Sequence, residues 1–160
     1  MFEGRPLATF DLGALRPVQK KPRKSDFIAL WTDGAFACGP RAVAVASETL
    51  RQDGELLVAS VEGDAEVQIF NCTRLVDCLD HDRTRWKIGE RTGRPMWITE
   101  YRFIDNRLPL TGRLFKLPET AAREVLTVVD SDSDLNAFPK LLEQNRLVGI
   151  DFQEVVASVR

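Results

Sequence analysis

The stretch ELLVASVEGDAEVQIFNC, residues 55–72, decides the fold. Leu56 to Val61 has the aliphatic, β-branched make-up of a strand, and it closes in turn residues at 62–64. A second strand, EVQIFNC, follows at once, so the two pair antiparallel as a hairpin. Working outward, DFIALW at 26–31 reads as another strand, ending at the turn residues TDG. RAVAVASETLRQDG holds a short apolar run and a helical turn that begins at Ser47 and ends near Gly54.

Downstream of the hairpin, TRLVDCLD places Leu75, Val76 and Leu79 on one side of a helix, with Asn71 or Thr73 as its cap. MWITEYRF, residues 96–103, alternates as a strand. Trp97, Thr99, Tyr101 and Phe103 share one face, and Ile98, Glu100 and Arg102 the other. RLFKL (113–117) and EVLTVVD (124–130) add two strands. SDSDLNAFPKLLEQNRLVG makes the best helix, capped by Asn136 with Pro139 as its third residue, and IDFQEVVASV reads as a closing strand. Strands in hairpin-like succession without βαβ alternation predict an α+β fold, a single domain over 1–160 with a mainly antiparallel sheet and a few short helices.

Composition narrows the function. At 160 residues there is room for one domain with a proper core, and 44% apolar with 29% charged residues is ordinary for a globular protein. A net charge of −2 and a pI near 5.5 disfavour nucleic acid as a partner. The basic loop at 16–26, RPVQKKPRKSD, lacks interleaved aromatics and reads as solvated surface. No apolar run approaches the ~18 residues of a membrane span. The start carries no continuous apolar stretch for a signal peptide, so a cytoplasmic protein is expected. Three cysteines form no disulfide framework and suit a reducing compartment.

The segment FNCTRLVDCLDHDRTRW, residues 70–86, concentrates the candidate chemistry. Cys72, Cys78 and His81 give C-x5-C-x2-H, with Cys38 as a fourth zinc ligand to be considered. Structural zinc sites pair their thiolates through a short C-x2–4-C turn, and this spacing is too long. A Cys78–His81 nucleophile pair meets the opposing charges of Asp77, Asp80 and Asp82, which hold a thiol protonated. DSDSD at 130–134 starts like a calcium loop but has Leu135 where the loop needs glycine and Leu141 where it needs glutamate. Neither a phosphate-binding glycine motif nor a G-x-S-x-G turn is present. A binding protein without metal or cofactor is therefore expected. A small metal- or thiol-dependent enzyme centred on Cys72, Cys78 and His81 is the alternative.

Four segments carry a resemblance: AVASETLRQ, VQIFNCTRLVDCLD, LPLTGRLFKLPE and PKLLEQNRLVGIDFQEV. In them Ser47, Asn71 to Asp80, Leu114 to Leu117 and Gly149 to Phe152 hold the places of a motif set, and residues 42–155 resemble the immunity proteins of bacterial polymorphic toxin systems, immunity family eleven. The first 41 residues match nothing in that pattern. The resemblance implies a small cytoplasmic α+β protein that binds and neutralises a toxin encoded beside it, often a nuclease of the HNH type. It implies no catalytic residues. An acidic surface suits a phosphate-binding cleft. Asp80, Asp82, Asp130, Asp132 and Asp134 are accordingly the candidate contacts, with Trp86 as a candidate hot spot in a charged, loop-like run.

Overall fold

The computed structural model describes residues 25–30, 34–61, 65–120, 123–129 and 137–155, and only the backbone of residues 60, 61, 65 and 66. Strands β1 (Phe27–Ala29), β2 (Ala35–Cys38), β3 (Gly54–Val61) and β4 (Ala65–Cys72) form one antiparallel sheet in the order β1-β2-β4-β3. The predicted hairpin is its spine, with β3 and β4 in register from Gly54 opposite Cys72 to Val61 opposite Ala65.

Helix α1 (Pro40–Arg51) begins well ahead of Ser47. Its AVAVA run is a helix, because alanine fits a helix at least cost and Ala42, Ala46 and Leu50 recur every four residues as a buried stripe. Gly54 leaves that helix for β3 at a point where a Cβ would strike the carbonyl oxygen of Asn71, so the close approach needs glycine. The stripe packs on Phe27, Cys38, Phe70 and Cys72 from the sheet and on Phe138 and Leu142 from α2 (Phe138–Gln144). Phe36 lies 5.0 Å from Phe70, ring centroid to centroid, and Phe27 lies 5.9 Å from Phe138. Helix α2 is shorter than expected. Ala137 holds the N-cap position, and Pro139 stands within the first two helical residues, where its missing N–H costs nothing.

A second core contains Cys78, Leu79, Ile98, Tyr101, Phe115 and Leu117. Around it run the hairpin of β5 (Arg85–Ile88) and β6 (Pro95–Glu100) and the short pair β7 (Leu114–Phe115) and β8 (Leu126–Thr127). Two expectations fail here. TRLVDCLD is extended and not helical. The Val76 N–H donates to the Lys116 carbonyl at 3.0 Å, the Lys116 N–H to Arg74 at 2.8 Å and the Asp80 N–H to Arg102 at 2.8 Å. Isolated bridges join Leu75 to Lys116 in parallel and Leu79 to Phe103 antiparallel, so long-range backbone pairing overrides a local helical pattern. Residues 150–155 likewise form no strand, and the rest of the expected closing strand lies outside the described residues.

Asp53 ties the loop after α1 to Arg74 and to the start of β7. Its carboxylate, 2% exposed as a residue, accepts from Arg74 Nε at 2.6 Å, from Arg113 Nε at 2.8 Å and from the Leu114 N–H at 2.8 Å. Among the described residues no helix is long and apolar enough to cross a membrane.

Candidate partner-binding site

The three cysteines do not converge. Cys38 and Cys72 lie in the first core and Cys78 in the second, all fully buried. Burial pushes the Cys38 thiol up to about 12. Cys72 is raised to about 11, first by burial. Cys78 is raised to about 11 by burial, with the charges of Glu119 and Asp77 adding to it. Burial disfavours the thiolate at all three positions. They are packing residues.

His81 is exposed and turned to acids. Its Nε2 stands 3.0 Å from Glu119 Oε1, and one ligand atom each of Asp77, His81 and Glu119 lies within 4.8 Å of the others. The chain builds this cluster through the parallel bridge of Leu75 and Lys116. Both segments leave it in the same direction, so Asp77 and Glu119 emerge side by side. Asp80 then shapes the turn at 81–83, its Oδ1 accepting the Arg83 N–H at 3.1 Å. Asp80 is therefore half-buried and committed to a turn, whereas Asp82 stands exposed on that turn. Asp130, Asp132 and Asp134 lie outside the described residues.

The two tryptophans of the β5–β6 hairpin lie in different surroundings. Trp86 is half-buried against the second core, opposite Ile98. Trp97 is 54% exposed, next to Met96 at 56% and near Ile88 at 46%. The alternation of MWITEYRF shifts the inward side to Ile98 because the β5–β6 pairing is irregular between Arg85 and Trp86 and again between Lys87 and Ile88. Gly93, at φ +63°, turns the hairpin, donating its N–H to the Gly89 carbonyl at 2.8 Å. Exposed Arg85, Lys87, Arg91 and Arg94 frame the apolar residues, against exposed Glu90. Glu100 is engaged by Arg85 at 3.2 Å and by Arg102. The sequence held one signal for this exposure: Met96 and Trp97 follow Pro95 at the start of the strand, a place proline takes at sheet edges.

The fold is a small antiparallel α+β domain whose β5–β6 hairpin exposes Ile88, Met96 and Trp97. Beyond that class, no family model, no curated protein and no solved structure matches the chain.

Proposed function

We propose that this chain is an immunity-type protein, which binds a cognate bacterial toxin in the cytoplasm and neutralises it by one-to-one occlusion. The observation that carries the reading is the hairpin. Ile88, Met96 and Trp97 are each exposed on this hairpin beside exposed arginines, and tryptophan, methionine and arginine are residue types that protein contacts favour. The placement of the cysteines favours it over the enzyme reading, since Cys72 and Cys78 are buried in different cores while His81 is exposed. Asp82, exposed on the turn that precedes β5, is a candidate contact close in sequence to the hairpin.

The test is co-expression with the product of the neighbouring open reading frame. The expected result is a one-to-one complex and protection of the host. A neighbour that is harmless to the host, or that fails to co-purify with this chain, overturns the proposal.

A further inference from the structure

We propose that Asp77, His81 and Glu119 form a site for a divalent transition-metal cation, Zn2+ foremost. The proposal is independent of toxin binding. The three donors come from two segments far apart in the chain, held together by the backbone pairing of residues 75–76 with 116. One imidazole nitrogen with two carboxylates is a donor set that suits zinc, cobalt or manganese better than calcium or magnesium, which take oxygen ligands alone. Three protein ligands leave a fourth position to water, as in zinc sites that remain open.

Glu119 supplies a second observation. Its Oε1 meets His81, while its other oxygen, Oε2, is shut off from solvent and has no hydrogen-bond partner among the described residues. A buried carboxylate oxygen left this way loses its hydration without replacement, and a cation on the carboxylate answers that deficit. Ligand atoms about 2.1 Å from a tetrahedral zinc lie roughly 3.4 Å from one another. His81 and Glu119 already stand 3.0 Å apart. The cluster as a whole spans up to 4.8 Å, and the exposed side chains of Asp77 and His81 are free to close the difference by rotation. Binding replaces the His81 Nε2–Glu119 Oε1 contact, the cation taking the nitrogen lone pair and a carboxylate oxygen. It also competes with Arg107, whose Nη1 lies 3.7 Å from Asp77 Oδ2.

The experiment is titration of the full chain with Co2+ alone, followed by visible absorption, and with Zn2+ alone, followed by calorimetry. One saturable equivalent is expected, with cobalt bands of nitrogen and oxygen ligands and no thiolate charge-transfer band. His81→Ala and Glu119→Gln should each weaken binding at least about tenfold, while Asp82→Asn should leave it unchanged. His81 is exposed, so His81→Ala keeps the fold, which an unchanged melting temperature checks even if Glu119→Gln is destabilised. Absence of saturable binding, a thiolate band, or wild-type affinity in His81→Ala overturns the site.

Discussion

Arg113 Nε donates to the buried Asp53 Oδ1 at 2.8 Å, joining the loop after α1 to the start of β7. The same carboxylate holds Arg74 and the Leu114 N–H, and this bond is the largest cause of the upward shift of the Arg113 guanidinium. Asp53→Asn leaves two arginines and an amide facing a group that carries no charge to answer them. Both arginines keep some access to water, so the loss should be about 3 kcal/mol, the low end for a broken buried pair. Urea denaturation measures it. A change below about 1 kcal/mol would show that this carboxylate is not what holds β7 to the loop after α1.

Two glycines with positive φ should respond differently to alanine. Gly93, at φ +63°, has open space where its Cβ would lie, so Gly93→Ala costs only the backbone penalty of about 1–2 kcal/mol. Gly149, at φ +113°, would drive a Cβ into the Phe27 carbonyl and the Ser25 hydroxyl, at the place where residues 147–149 meet β1. Gly149→Ala should cost about 3 kcal/mol or more. Thermal melts of the two variants compare them directly, and equal losses would mean that the contact with β1 is dispensable.

Alkaline pH should destabilise the protein through its thiols. Their ordinary value is 9.0, and folding raises Cys38 to about 12 and Cys72 and Cys78 to about 11. The folded state therefore keeps protons that the unfolded chain sheds. Stability is complete below pH 9 and falls as pH climbs through 11, each thiol contributing up to about 1.4 kcal/mol per pH unit. Tyr101, raised by burial and by donating its hydroxyl to Glu124, acts in the same direction. Urea midpoints between pH 7 and 10.5 test this. A flat profile above pH 9 would refute it. Thiol alkylation at pH 8 should likewise be slow until denaturant is added.

The sheet was legible because its central hairpin is local: strand residues on both sides of a short turn leave one pairing open, and β3 and β4 take it. RLFKL and EVLTVVD also pair, as β7 and β8. Misreadings arose where distant backbone decides. Leu75, Val76 and Leu79 have helical spacing, yet Lys116 and Phe103 claim the backbone of that segment. RWKI looked like a charged loop because only Trp86 turns inward, and a strand with one buried side chain has no period to read. The candidate chemistry was half legible. Asp77 and His81 stood together in sequence, but their partner Glu119 is brought in by the bridge at residue 116, which local sequence does not encode. Cys72 and Cys78 looked paired with His81 by proximity along the chain and are divided between two cores.

The two tryptophans of the hairpin separate folding from binding. Trp86 packs on the second core, so Trp86→Ala opens a cavity beside Ile98 and should cost about 2 kcal/mol, less than full burial would. Trp97 is exposed on the hairpin, and Trp97→Ala should change stability by no more than about 0.5 kcal/mol. If the hairpin seats on a partner, the same change removes a central anchor and weakens the complex about thirtyfold, the size of a hot spot near 2 kcal/mol. Asp82→Asn, a rim charge, should slow association and soften its salt dependence without a comparable loss of affinity. Denaturation curves and calorimetric titration against the neighbouring gene product read both effects. A Trp97→Ala protein that is stable and binds as tightly as the parent would move the docking face off the hairpin while leaving the immunity reading intact.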